Sequence, residues 1–150
     1  SNAVSKVVEA LSHSTSRKKF ILMSTTAYTD KRQGEKDSFA EGLVFALLKH
    51  LLPPHADNVH AGDYLFKETK NSANCEWIAV RPDSLIDEAA VREYEVVPMK
   101  RQSPIFNPGK TSRINVAHFM AELIGSEKLW KKWKGQMPVI YDSDSLPEKR

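Results

Sequence analysis

Two short apolar runs constrain most strongly what this chain can fold into. Lys19–Ser24 (KFILMS) places phenylalanine, isoleucine, leucine and methionine in one uninterrupted series with polar residues on either side. Glu76–Val80 has the same character. Runs of this kind are typical of strands buried on both faces, as in a parallel sheet. We therefore predict that both segments are buried strands of a parallel sheet.

Helical periodicity surrounds these runs. Apolar residues recur at i, i+3, i+4 and i+7 from Val4, which predicts a short amphipathic helix. A second helix is predicted after Ser38, because Ser38 and Glu41 have the spacing of a capping box, and a pair of prolines ends it. A third is predicted over residues 56–70. The apolar side chains of the second helix that we expect to face the core are Phe39, Leu43, Leu47 and Leu51.

The clearest amphipathic helix follows Asn115. We expect Asn115 to be its N-cap and Gly125 to end it in the left-handed conformation. A short lysine-rich helix and a last strand, Pro138–Tyr141, come after it, and Tyr94–Val97 is predicted as a shorter strand. This alternation of helices and strands predicts an α/β fold, with helices on the faces of a sheet.

Composition limits the class of protein. The chain has 150 residues, of which 41% are hydrophobic and 27% charged, the balance of a folded globular domain. No apolar run reaches the about 20 residues that a membrane helix needs. The single cysteine, Cys75, excludes an internal disulfide and suits a reducing compartment, so we predict a cytoplasmic location. The net charge of +3 is too small to indicate a nucleic-acid partner.

Three further patterns favour a structural interpretation. Asn107–Thr111 (NPGKT) ends like a phosphate loop, but the glycine needed five positions before Gly109 is replaced by Pro104, so we predict a turn. Trp130–Lys134 alternates aromatic and cationic residues; anchoring tryptophans with solvated lysines are favoured over a nucleic-acid contact. The histidines lack the spacing of a zinc site, and no metal is expected; those considered are His50, His55, His60 and His118.

Hydroxyl groups follow the first apolar run. Ser24, Thr25 and Thr26 end the predicted strand, and Arg81–Ser84 ends the next one. The carboxyl ends of parallel strands meet at one edge of a sheet, where ligands of α/β proteins bind. The hydroxyls could orient a carbonyl group being reduced or donate a proton through water. They could equally satisfy backbone groups of the following turn.

Five segments in this order resemble the C-terminal portion of the atypical short-chain dehydrogenase/reductase superfamily. They are an opening helix, KFILMSTTAY, LLKHLLPPHADNVHAGDYL, CEWIAVRPDSLIDE and TSRINVAHFMAELI, and they cover most of residues 4–141. The resemblance is to NAD(P)H-binding proteins similar to biliverdin-IXβ/flavin reductase and to the NmrA-like group. It implies a Rossmann-like fold, a doubly wound parallel sheet that binds NADP or NAD, with hydride transfer in the enzymatic members.

The resemblance also implies roles for the two strand ends. Ser24, Thr25 and Thr26 correspond to the hydroxyl run after the family's fifth strand and are the candidate catalytic residues. The segment after the Arg-Pro pair passes near the nicotinamide in the family. The candidate cofactor-binding residues are Arg81, Pro82, Asp83, Ser84 and Leu85.

The sequence departs from the family pattern in two ways. Pro54 and Asn58 stand where a Tyr-x-x-x-Lys pair is usual, so the chemistry of typical alcohol dehydrogenases is not expected. No Gly-x-Gly-x-x-Gly pattern occurs, and this pattern holds the pyrophosphate in Rossmann domains. We therefore expect residues 4–150 to be the C-terminal part of such a domain, from a truncated chain, a fragment or a remnant gene product. Residues 1–3 look like the scar of an expression tag.

Two functions remain open at this point. In the first, the full-length parent transfers hydride between NADP(H) or NAD(H) and a small molecule, while this chain alone binds dinucleotide weakly and is inactive. In the second, the parent is a non-catalytic NmrA-like regulator that senses the dinucleotide or binds a partner. In both, we expect the open edge at Phe20–Met23 to be covered by a homo-oligomer or by strand exchange.

Overall fold

The computed structural model describes residues 2–51, 53–68 and 74–146. The side chains of residues 2, 49–51, 53–59 and 68 lie outside this description. The helices are α1 (Asn2–Ser12), α2 (Phe39–Leu51), α3 (Pro53–Glu68), α4 (Arg113–Gly125) and α5 (Glu127–Trp133). The strands are β1 (Lys18–Met23), β2 (Cys75–Pro82), β3 (Ser84–Ile86), β4 (Tyr94–Val97), β5 (Lys110–Ser112) and β6 (Val139–Asp142).

A four-stranded sheet in the order β1-β2-β6-β4 forms the centre of the described structure. β1 runs parallel to β2, with Lys18 opposite Cys75 and Met23 opposite Val80. β6 is parallel to β2, whereas β4 is antiparallel to β6. A separate parallel pair, β3 and β5, continues from the end of β2. The predicted α/β fold with a parallel sheet is confirmed; the β3–β5 pair was not predicted.

Helices cover both faces of the sheet. On one face, α4 and α5 pack against β2 and β6 in a cluster that contains Ile78, Phe119 and Trp130. On the other face, α1 and α3 enclose Val8, Leu65 and Trp77. Trp130 is fully buried and Trp133 is 4% exposed, which confirms that the tryptophans of the lysine-rich helix are anchors.

The prediction that both apolar runs are buried on both faces holds for β2 and is wrong for β1. Residues 77–80 of β2 are all buried. β1 is only half-buried, and the side chain of Met23 is 51% exposed. The reason is position: β2 lies between two strands, while β1 is an edge strand within the described sheet. An apolar run alone does not distinguish a central strand from an edge strand.

The apolar stripe predicted to face the core on α2 faces solvent instead. Phe39, Leu43 and Leu47 are 92%, 66% and 58% exposed, and the side chain of Leu51 lies outside the described residues. The capping box is confirmed, since the Ser38 N–H donates to Glu41 Oε2 over 2.8 Å and the Glu41 N–H donates to Ser38 Oγ over 3.2 Å. The helix carries a second stripe at helical spacing, and this one faces the protein: Glu41, Val44, Phe45 and Leu48.

Both predicted caps of α4 are wrong. Ser112 is the N-cap, and its hydroxyl accepts from the Asn115 N–H. Asn115 is buried inside the first turn, where its amide donates to Asp142 Oδ1 over 2.7 Å. Gly125 is the last helical residue and has no positive φ, because the chain continues through Ser126 directly into α5.

A buried ion pair joins the loop after β1 to the middle of the fold. Arg81 of β2 is completely buried, and its Nη1 and Nη2 groups donate to the two carboxylate oxygens of Glu35, each over 2.8 Å. Glu35 also accepts from the backbone N–H groups of Asp30 and Lys100. The other donors of the guanidinium reach three backbone carbonyl oxygens, those of Met137, Tyr28 and Pro98.

Replacing one member of this pair should destabilise the fold strongly. Glu35→Gln leaves the buried guanidinium without a counter-charge, and we expect the free energy of unfolding to fall by about 3–5 kcal/mol. Urea denaturation of the variant measures this. The matched control is Asp87→Asn, which breaks an exposed ion pair with Arg113 and should change stability little. Equal effects in the two variants would contradict the structural importance of Glu35.

Candidate functional site

The two predicted strand ends lie side by side. The Ser24 N–H donates to the Val80 carbonyl over 2.7 Å, and the Thr26 N–H donates to the Pro82 carbonyl over 3.2 Å. The hydrogen bonding to β2 therefore continues beyond Met23, the last residue of β1, as far as Thr26. The structure brings Ser24–Thr26 next to Pro82 and Asp83, as the parallel arrangement predicts.

The Ser24 hydroxyl differs from its neighbours. Ser24 is 8% exposed, and its Oγ is the only buried side-chain nitrogen or oxygen without a hydrogen-bond partner among the described residues. By contrast, Thr25 Oγ1 accepts from the Ala27 N–H over 3.2 Å, and the Thr26 hydroxyl is bonded to the Asp83 carboxylate. An unpaired buried hydroxyl costs about 1–3 kcal/mol, so it calls for a physical explanation.

Asp83 fastens a loop over these strand ends. Its Oδ2 accepts from the Gly109 N–H over 3.1 Å, and its own N–H donates to Thr111 Oγ1 over 3.3 Å. Gly109 is required here, since a Cβ atom would lie 2.5 Å from a ring carbon of Tyr141. Burial raises the pKa of the Asp83 carboxyl, while the hydrogen bonds from Gly109 and Thr26 oppose that rise. The Asn107–Thr111 segment thus leads from a turn into β5, and its Gly109 binds a carboxylate.

The remaining predicted cofactor-binding residues have different places. Arg81 faces the interior, and each N–H group of its guanidinium already has an acceptor in the fold. The side chain therefore stabilises the fold and does not face a ligand. Pro82 is buried, and Leu85 packs against the core cluster of α4. Ser84 is exposed, and its N–H donates to the Gly109 carbonyl.

A tyrosine to which the sequence pattern gave no role, Tyr28, lies close to this region. Tyr28 is 7% exposed, and its hydroxyl donates to Asp63 Oδ1 of α3 over 3.0 Å. Burial, followed by the charge of Asp63, raises the pKa of Tyr28 well above its usual value. Burial also raises the pKa values of Tyr94 and Tyr141. A tyrosine four positions after Ser24 was visible in the sequence, but its partner lies 35 residues further on.

No metal centre is formed by the described residues, in which no three histidine, cysteine, aspartate or glutamate side chains converge. His118 Nδ1 lies 2.8 Å from the Tyr94 hydroxyl, in keeping with a hydrogen-bonded structural histidine. The side chains of His50 and His55 lie outside the described ranges. In the described part of the chain, no helix combines the length and apolar character needed to cross a bilayer.

Comparison with known proteins identifies the family. A sequence model of NAD(P)H-binding domains matches residues 1–127. The chain belongs to this NAD(P)H-binding family. The resemblance to atypical short-chain dehydrogenases/reductases is confirmed, and NAD(P)H is the cofactor of the family. No curated protein sequence matches the chain.

Solved structures show the same Rossmann-like fold. A wide-type short-chain dehydrogenase/reductase from Veillonella parvula in complex with NADP superposes with a TM-score of 0.66 at 17% identity, over 99% of this chain and 61% of that protein. SP1627 of Streptococcus pneumoniae, a proposed NADH-flavin reductase, gives 0.64 at 16% identity, over 94% and 64%. ChuY from Escherichia coli O157:H7, an anaerobilin reductase, gives 0.57 at 18% identity, over 87% and 53%. The chain thus spans less than two thirds of the length of each.

The raised pKa of Asp83 predicts a particular dependence on pH. The folded state holds the proton more tightly than the unfolded state, whose carboxyl has a pKa near 3.8. The contribution of Asp83 to stability is therefore fully present below that value and is lost as the pH rises through the raised pKa of the folded state. Urea denaturation of wild type and Asp83→Asn at several pH values measures it. We expect wild type to lose stability relative to the variant as pH rises from 4 to 7; a constant difference would contradict this.

Proposed function

We propose that this chain is the C-terminal part of an NAD(P)H-dependent reductase whose complete form transfers hydride to a small molecule. Membership of the NAD(P)H-binding family supports the cofactor, and the reductases among the structural relatives support the type of reaction. The observation that carries the proposal is the buried, unpaired hydroxyl of Ser24 at the end of β1. It lies beside the end of β2, at the edge where α/β proteins bind their ligands.

In this proposal, the nicotinamide end of the dinucleotide lies at this edge. The Ser24 Oγ has an unused hydrogen-bonding capacity, and the exposed Ser84 is the first residue of β3, which leads away from the end of β2. Bound NAD(P)H would supply the hydride. The pyrophosphate would be held by a part of the parent protein outside this chain. The chain itself covers 61% of the NADP-bound relative.

Each residue at the edge has a separate task in this proposal. Ser24 Oγ donates a hydrogen bond to the substrate oxygen that gains negative charge as the hydride arrives. Thr26 and Asp83 hold the loop that contains Gly109 against the strand ends, so that the surroundings of Ser24 keep their shape. Arg81 supports the same strand end from inside through Glu35.

The test uses the complete gene product and follows NADPH consumption with quinones or flavins as acceptors. Ser24→Ala should lower kcat by about 10²-fold, because the hydroxyl acts on the developing charge, with the affinity for NADPH unchanged. Ser16→Ala, an exposed serine before β1, is the matched control and should behave as wild type. Unchanged turnover in Ser24→Ala would remove Ser24 from the mechanism.

A second measurement tests whether this chain contains only part of the dinucleotide-binding site. Calorimetric titration of this chain with NADPH should show weak binding, whereas the complete gene product should bind tightly. Micromolar affinity in this chain would overturn the proposal that it is only the C-terminal part of the binding domain.

The tyrosines favour a second candidate, a non-catalytic protein that binds the dinucleotide as a signal. Acid–base catalysis by tyrosine requires a lowered pKa, but burial raises the pKa values of Tyr28, Tyr94 and Tyr141. In this alternative, Ser24 binds the nicotinamide amide and no hydride leaves. A gene product that binds NADPH but consumes none with any quinone or flavin would support the regulator over the reductase.

We further propose that the free edge of β1 pairs with a strand of a second copy. Lys18 and Ser24 donate their N–H groups to the β2 side. The N–H groups of successive residues in a strand point to alternate sides, so those of Ile21 and Met23 point to the open side. Unpaired strand edges of this kind pair readily with other chains.

The edge proposal predicts the effect of one proline. Met23→Pro removes an N–H group from the open side and leaves the bonds to β2 intact, so it should convert a dimer to a monomer. Met23→Ala removes the side chain but keeps the N–H group, and should remain dimeric. Light scattering at several protein concentrations distinguishes them, and a monomeric wild type would contradict the pairing.

A further inference from the structure

A cleft of about 370 Å³ lies between the loop after β1, α2 and α3. Its volume is within the range of small-molecule sites. Phe45 and Ala46 of α2 and Phe66 of α3 form its apolar part. Its lining begins at Ala27, directly after Thr26, but includes neither Ser24–Thr26 nor Arg81–Leu85, the residues of the proposed reductase site.

One wall of the cleft holds a guanidinium group in a fixed position. The Cζ of Arg32 lies 3.7 Å from the centre of the Phe66 ring. Its Nε and Nη2 donate to the two carboxylate oxygens of Asp30, each over 2.7 Å, and Asp30 is 1% exposed. Nη1 has no hydrogen-bond partner among the described residues. Lys31, the neighbouring residue, also lines the cleft.

A carboxylate lines the cleft on α3. Asp63 Oδ1 accepts from the Tyr28 hydroxyl, and no lysine or arginine of the described part of the chain contacts this carboxylate. Asp37, which also lines the cleft, differs because the Lys100 ammonium lies 2.6 Å from its Oδ1. Asp63 is therefore the lining carboxylate whose charge is not balanced by a protein cation.

We propose that this cleft binds a free α-amino acid with an apolar side chain. The ammonium group pairs with Asp63, the carboxylate accepts from Arg32 Nη1 with support from Lys31, and the side chain lies against Phe45 and Ala46. A simple anion would meet the uncompensated charge of Asp63, and a simple amine would meet Lys31 and Arg32. A zwitterion satisfies both ends, and charge-assisted hydrogen bonds of this kind are the strong ones.

Titration of the chain with L-phenylalanine, followed by calorimetry, tests the proposal. We expect saturable binding of one molecule. Hydrocinnamate lacks the ammonium group and phenethylamine lacks the carboxylate, so each should bind at least about tenfold more weakly. An analogue that binds as well as the amino acid, or no saturable binding of L-phenylalanine, would overturn the proposal.

Matched variants locate the site. Ala46→Trp fills the cleft and should abolish binding, while Ala40→Trp on the same helix lies outside the cleft and should retain it; both alanines are exposed, so neither change should disturb folding. Asp63→Asn keeps an acceptor for Tyr28 but removes the charge, and should weaken binding about tenfold. Melting temperatures close to wild type confirm folded variants. Binding that survives Ala46→Trp would place the amino acid elsewhere.

Discussion

The buried ion pair between Arg81 and Glu35 is the constraint on which much of this structure depends. Two charges removed from water require close contact and further hydrogen bonds to be tolerated at all. The pair meets this requirement by collecting backbone groups from distant segments, those around residues 28–30, 98–100 and 137. The loop after β1 is therefore held against the end of β2, and this contact places the hydroxyl run beside the neighbouring strand end.

The strand-end site combines rigid surroundings with one unused group. Thr26, Asp83 and Gly109 satisfy one another and attach the loop before β5 to the sheet. Ser24 Oγ is left without a partner in this environment. A protein that leaves a buried hydroxyl unpaired loses stability, and such losses are common where a ligand later supplies the missing bond. This physical argument is independent of the family match, which concerns the cofactor alone.

Much of the architecture could be predicted because local signals agreed with the fold. The capping box of Ser38 and Glu41, the apolar run of β2 and the meeting of two strand ends all follow from spacing and strand direction. Other predictions failed because the same sequence pattern is compatible with two positions in the fold. The α2 helix carries a second stripe that includes Glu41, and the hydrogen bond from Ser103 Oγ to Glu41 Oε1 over 2.6 Å helps to orient the helix. Asparagine is a favourable N-cap residue, but the side chain of Asn115 donates to Asp142 from within the first turn of the helix.

The sequence by itself determined the class of fold, the alternation of helices and strands and the residues that follow the strands β1 and β2. These properties depend on periodicity and on the direction of the chain, which are local. Only the tertiary structure decided that Arg81 is an internal ion-pair partner and, within the described residues, that β1 is an edge strand and Ser24 the buried hydroxyl without a hydrogen bond. Side-chain partners in this fold lie far apart in sequence: Glu35 lies 46 residues from Arg81, and Asp63 lies 35 residues from Tyr28. Desolvation makes such distant pairings obligatory, but no local pattern records which groups will meet.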